Sequence, residues 1–266
     1  MKEKSILLFI VLTVFLGSCE LIDPIFNPVK NECILLKTSM SVPNDPANEE
    51  TVFTYDSSGK LIEVVKTGYD LGSDPVVSRW TMTYSNDKLD KLSSFFKFYS
   101  DPEEKTGDWM FYYNGNLPDS IHAPAASASN NVSYTLTQYT GDKLVKLTDY
   151  LKRPNEPNYS VFNTTDLEWS GDNISKITIT NNYGSSRFFE YEYDDKKTPL
   201  GHLGLALSSF GSLTMLSKNN VTKTTYTLGT NVYISETSYT YNSTDYPISA
   251  IPAKDGYPTN YEYDCK

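Results

Sequence analysis

Three nine-residue strings in this chain align without a gap: YSNDKLDKL at 84–92, YTGDKLVKL at 139–147 and WSGDNISKI at 169–177. Each reads aromatic, Ser or Thr, Gly or Asn, Asp, Lys or Asn, Leu or Ile, any residue, Lys, Leu or Ile. Looser copies stand at 55–64 (YDSSGKLIEV), 112–121 (YYNGNLPDSI), 191–200 (YEYDDKKTPL) and 239–249 (YTYNSTDYPIS), and the chain closes on YEYDCK. A recurring unit of this kind is one supersecondary element used many times.

The unit is a β-hairpin. An apolar residue often precedes the anchor aromatic by two positions: Phe53 before Tyr55, Met82 before Tyr84, Leu167 before Trp169, Tyr191 before Tyr193. That alternation marks a strand with one packed face. Asn, Asp and Gly follow, the residues that tolerate the positive φ of tight hairpin turns. The anchors Tyr55, Tyr84, Tyr113, Tyr139, Trp169 and Tyr193 recur every 24 to 30 residues. Each interval holds two strands, a tight turn and a longer loop. A helix would explain Leu89, Leu92 and Phe96 at i, i+3 and i+7. The surrounding Thr, Tyr, Ile and Ser argue against it, and the offset fits a bulge after the turn or apolar contacts on both faces. The expected fold is all-β: an antiparallel meander of repeated hairpins forming one large curved sheet or half-open barrel. The tract at 198–223, with Leu203, Leu205, Leu207, Phe210, Leu213 and Met215, breaks the rhythm and is expected to cross or plug the apolar face.

The first residues carry the pattern of an export signal. Lys2 and Lys4 precede an apolar run from Ile6 to Leu16, too short to span a bilayer comfortably. Leu16-Gly17-Ser18-Cys19 resembles the lipobox of bacterial lipoproteins. The resemblance implies cleavage after residue 18, acylation of Cys19 and attachment to a membrane, where several acyl chains anchor stably. The expected organisation is a signal peptide at 1–18, a Pro-containing tether at 19–30 and one hairpin-repeat domain at 31–266.

Two further cysteines, Cys33 and Cys265, stand at opposite ends of the domain. Export favours their pairing, which would clip the first segment to the last; two free thiols are the competing arrangement. The net charge of −10 leaves no basic stripe for phosphates, so nucleic acid is excluded as a partner.

The string YDSSGKL at 55–61 resembles the YD-type repeat of RHS proteins. With the lipobox, SKNN at 217–220 and the closing YEYDC, the whole chain resembles uncharacterised lipoproteins of the Bacteroidota. The resemblance implies an outer-membrane lipoprotein with a β-hairpin body, facing either the surface or the periplasm, and implies no activity.

Chemistry is sparse. His122 and His202 belong to no compact zinc pattern; there is no Gly-x-Ser-x-Gly elbow and no calcium-loop spacing. No metal or cofactor is expected. Glu103 with Glu104, Glu190 with Glu192, and Asp194 with Asp195 are the carboxylate pairs that a glycosidase-like reaction would require; beside turns and on an open face such residues ordinarily serve solvation. Aromatics are the excess: 21 Tyr, 12 Phe and 3 Trp. The repeated anchors read as scaffold, whereas Trp80, Trp109 and Tyr257, off the register of the repeat and expected in the loops, are the candidate ligand contacts. The leading expectation is a lipid-anchored, non-enzymatic binding module for a glycan or an envelope protein. An assembly factor whose sheet accepts a partner's strand comes second, and a carboxylate-dependent carbohydrate hydrolase third.

Overall fold

The computed structural model describes residues 33–40, 48–69, 75–98, 101–123, 132–153, 156–199, 213–254 and 256–265. The expected signal peptide, Cys19, the expected tether and His202 lie outside the described residues, as does half of the tract at 198–223, residues 200–212. Sixteen strands follow in chain order. The first eight are β1 (Cys33–Met40), β2 (Glu49–Tyr55), β3 (Leu61–Tyr69), β4 (Pro75–Ser85), β5 (Lys88–Phe98), β6 (Glu104–Asn114), β7 (Leu117–Ala123) and β8 (Val132–Thr140). The second eight are β9 (Lys143–Lys152), β10 (Ser160–Ser170), β11 (Asn173–Asn181), β12 (Ser186–Lys197), β13 (Asn219–Leu228), β14 (Asn231–Tyr241), β15 (Pro247–Pro252) and β16 (Thr259–Cys265).

Every strand pairs antiparallel with its sequence neighbours, and β1 returns to β16, so the meander is a closed barrel. Closure goes further than the half-open sheet expected from the repeat. It comes from the ends of the domain, which pair from Cys33↔Cys265 to Met40↔Thr259 and are joined by a Cys33–Cys265 disulfide.

Turn chemistry follows the local sequence. Asn86 and Asp87 both have positive φ (51° and 64°), as a type I′ turn demands. In the YTGD and WSGD copies a glycine occupies the first central position, with φ of 64° at Gly141 and 57° at Gly171. In DSSG, Asp56 accepts the Ser58 amide at 2.8 Å and the Lys60 amide at 3.0 Å.

A bulge follows each of these turns. Tyr84 pairs with Leu89 and Thr83 with Lys91, leaving Asp90 as the extra residue. The extra residue turns Leu89 and Leu92 to the same face, and both are fully buried. Ile174 with Ile177, and Leu61 with Val64, repeat the arrangement. The helix-like Leu-x-x-Leu offset is therefore a bulge signature. The core is a belt of these residues with Leu35, Phe53, Met82, Phe111, Ile121, Leu144 and Leu167; each large side chain so buried contributes roughly 1.5–3 kcal/mol.

The break at 198–223 is partly visible. A short 3₁₀ turn, η1 (Leu213–Leu216), sits against β11, and Leu213, Met215 and Leu216 pack on the core. The SKNN string then fastens the returning chain. Ser217 Oγ accepts the Ile174 amide at 3.0 Å, the Asn219 amide donates to Asn173 Oδ1 at 3.1 Å, and Asn220 Nδ2 donates to the Asp194 carboxylate and the Lys197 carbonyl.

Candidate functional site

The repeated anchors stitch one hairpin to the next. Tyr55 Oη donates to the Leu35 carbonyl (3.0 Å), Tyr84 to Leu61 (2.7 Å), Tyr113 to Leu89 (2.9 Å) and Tyr193 to Ile174 (2.7 Å). Trp169 Nε1 donates to Leu144 (2.8 Å), Tyr239 to Val221 (2.8 Å) and Tyr263 to Pro247 (2.8 Å). At the remaining junction Thr137 Oγ1 donates to the Pro118 carbonyl. The accepting residue is in most copies the Leu or Ile of the preceding unit, and the Lys before it completes the link. Lys60 lies over the Tyr84 ring (5.4 Å) and pairs with Asp87; Lys88 lies over Tyr113 (5.2 Å) and donates to the Gly115 carbonyl. Lys143 lies over Trp169 (5.6 Å) and donates to the Gly171 carbonyl at 2.5 Å. The anchors are scaffold, as their spacing suggested. Burial raises the phenol pKa at Tyr55 and Tyr84, and pushes those of Tyr193 and Tyr261 up to about 12.

Two of the three singled-out aromatics come together. Trp80 and Trp109 lie on strands β4 and β6 rather than in the expected loops, because the hairpins run longer than the repeat strings; both share the inward-facing side and flank β5 from either side. With Ser78, Ser94, Phe95, Phe96 and Thr106 they line a cleft of about 360 Å³. Ser94 Oγ and Thr106 Oγ1 are hydrogen-bonded at 2.6 Å beneath the indoles. At Gly107, opposite Ser94, a Cβ would stand 3.3 Å from Trp109 Cη2, so the glycine leaves room for the ring. Two aromatic walls over a hydroxyl floor suit a ligand that has both apolar faces and hydroxyls. Tyr257 stands apart, exposed in the β15–β16 connection.

A second aromatic group escaped the sequence reading. Tyr112, His122, Tyr134 and Tyr150 form a row across β6–β9, with centroids 4.6, 5.5 and 4.6 Å apart, and Tyr159 meets Tyr134 edge-on at 4.9 Å. The signal was present, since His122, Tyr134 and Tyr150 face one another in register with Tyr112 diagonal to His122, but register is not readable before the bulges are placed. Tyr134 and Tyr150 are stacked at 6°, so their faces cover each other and the row works as a cross-strand ladder.

The carboxylates are engaged elsewhere. Arg79 holds Glu103 below the usual carboxylate range by hydrogen bonding. Glu192 pairs with Lys223 at 2.6 Å, and Glu190 is exposed. Asp194 accepts Tyr241 Oη and the Asn220 amide, while Asp195 is exposed. None of these carboxylates lines the tryptophan cleft. Asp149, which sequence reasoning passed over, has the one raised carboxyl pKa among the described residues: burial lifts it, opposed by a 2.7 Å hydrogen bond from Thr135. The described residues contain no group of three or more His, Cys, Asp or Glu arranged to hold a metal ion.

Fold and cleft define a closed sixteen-stranded antiparallel barrel with an apolar belt and one aromatic, hydroxyl-floored recess. The chain is similar in structure to a porin-like protein from Bacteroides uniformis: 9% identity, TM-score 0.57, covering 86% of this chain and 96% of that one. A porin-like protein from Bacteroides vulgatus gives 12% identity and a TM-score of 0.38 over 87% of this chain and 98% of that one. The first of these likenesses concerns the fold. No protein-family model and no curated protein matches, so the likeness to YD-type repeats rests on the residues quoted above.

Proposed function

We propose that the chain is an envelope lipoprotein, anchored through Cys19, whose barrel is a non-enzymatic binding module taking one or two units of a neutral glycan in the Trp80–Trp109 cleft. The convergence of these two tryptophans on hydroxyl-bearing Ser94 and Thr106 carries the reading. Sugar rings present apolar CH faces to indoles and hydroxyls to hydroxyls. A lining without carboxylates offers binding groups but no acid–base pair, which weighs against the hydrolase reading. Closure of the barrel removes the free sheet edge on which strand addition depends, which weighs against the assembly-factor reading. A Bacteroidota outer-membrane location agrees with the lipobox resemblance and with the source of the porin-like neighbour.

The test is an oligosaccharide array followed by tryptophan-fluorescence titration of the Cys19→Ala chain. At least one neutral oligosaccharide is expected to bind. Trp109→Ala should cost on the order of 2 kcal/mol of affinity or more, as for a central aromatic contact, and Tyr257→Ala should leave it unchanged. Equal binding by Trp109→Ala, or no neutral glycan bound at all, would refute the assignment.

A further inference from the structure

A second cleft, of about 460 Å³, is lined by residues of β10–β13 at the end of the barrel opposite the stitched anchors. Its distinctive member is Arg187. The chain has three arginines: Arg79 pairs with Glu63 and Glu103, and Arg153 with Glu156. Arg187 is exposed, and among the described residues no carboxylate lies within ion-pair distance of it. Its cross-strand neighbours are Ile179 and Leu228, so a guanidinium stands between apolar partners in a chain of net charge −10.

The lining also carries the polar residues Asn163, Asn181, Asn182, Ser185 and Ser186, and Asn181 is set to donate. Its Oδ1 is occupied by the amides of Tyr183 and Ser185, each at 3.0 Å; its NH₂ is the end left for a ligand. Tyr226 completes the wall, stacked on Phe189 at 4.7 Å, and Leu228 is 47% exposed at the mouth. A lining with a single cation, amides beside it and apolar walls matches a singly charged acceptor on an apolar body. A guanidinium binds a carboxylate through two parallel hydrogen bonds. A phosphate dianion would call for further positive charge, which the described lining does not supply.

We infer that this cleft is a binding site for a small amphipathic carboxylate, with Arg187 gripping the carboxylate and Ile179, Tyr226 and Leu228 covering the apolar body. The site is independent of the tryptophan cleft and stands or falls separately from the glycan reading.

Isothermal titration of the Cys19→Ala chain with decanoate, decanol and galacturonate tests it. Decanoate should bind saturably at one site. Decanol, which lacks the charge, and galacturonate, which lacks the apolar body, should each bind on the order of tenfold more weakly or worse. Arg187→Gln, an exposed substitution whose fold is checked by its thermal transition, should reduce decanoate affinity to that of decanol. Trp109→Ala should leave decanoate binding unchanged. Equal affinity for decanoate and decanol, galacturonate binding as well as decanoate, or an Arg187→Gln protein that still binds decanoate at full strength would each overturn the assignment.

Discussion

At the scale of the residue, the anchor tyrosines show why one short string recurs. Each unit supplies a carbonyl to one neighbour and, at every junction but the Thr137 one, an aromatic hydroxyl or indole N–H to the other; in three units a lysine joins the carbonyl. Neither half has a purpose without the adjacent copy. Tyr84→Phe keeps the ring in the core but leaves the half-buried Leu61 carbonyl without its 2.7 Å donor. The loss should be about 1 kcal/mol, and up to about 3 if no water replaces the phenol, read as a lower urea midpoint with an unchanged slope. The same phenols set an alkaline limit. Folding raises the pKa of Tyr193 and Tyr261 from the ordinary 10.0 to about 12 through burial. The folded chain therefore keeps protons that the unfolded chain releases. The stability tied to these groups is complete below pH 10 and is lost as pH climbs through the interval to about 12. Urea midpoints should hold from about pH 8 to about pH 9.5 and fall above that. A Tyr193→Phe, Tyr261→Phe double variant should lose less of its midpoint over the same alkaline interval, and an equal loss would contradict this account.

At the scale of the element, the hairpin turns pre-set the pairing. Gly141 holds φ at 64°, and an added Cβ there meets nothing within 4 Å. The cost of Gly141→Ala is therefore conformational alone, about 1–2 kcal/mol. Chemical denaturation of this variant beside Ser57→Ala, which changes an exposed turn residue without positive φ, isolates that cost. The strands, the turns and their positions were legible because alternation, turn residues and anchors agreed with one another. The bulge was legible as one of two explanations of Leu89 and Leu92. Closure was not legible, since it depends on β1 meeting β16 and nothing local encodes that meeting beyond two distant cysteines. The site was legible only in part. Trp80 and Trp109 stood out by being off the repeat, but their convergence requires the β4–β5–β6 register. Tyr257 had the same sequence credentials and lies elsewhere. Arg187 gave no sequence signal, because its meaning comes from the absence of a nearby carboxylate among the described residues. The Tyr112–His122–Tyr134–Tyr150 row depends on register in the same way.

At the scale of the whole molecule, the seam shows how the barrel is completed. Tyr263 pairs with Leu35 as Tyr84 pairs with Leu89, and Asp264 pairs with Ile34 as Ser85 pairs with Lys88. Cys265 and Cys33 then occupy the places of Asn86 and Asp87, so the disulfide is the covalent turn of an eighth hairpin whose two strands come from opposite ends of the domain. The barrel so closed carries its apolar belt inside, and its outer face bears ion pairs at mid-strand. Lys37 pairs with Glu50 and Glu262, Arg79 with Glu63 and Glu103, Lys146 with Asp166, Lys176 with Glu168, and Lys223 with Glu192. A membrane-spanning barrel has the reverse arrangement, an outward apolar band around a polar lumen, and each lysine or arginine facing lipid at the midplane costs about 2–4 kcal/mol. Five such cations would cost about 10–20 kcal/mol, against a net domain stability of about 5–15 kcal/mol. The likeness to the porin-like protein is therefore one of fold, and the charged outer face described here argues against lipid around the barrel. The Cys19→Ala protein should accordingly remain monodisperse without detergent and leave the conductance of a planar bilayer unchanged. Detergent-dependent solubility together with stable conductance steps would show that the outer face does meet lipid, and the polarity argument would fail.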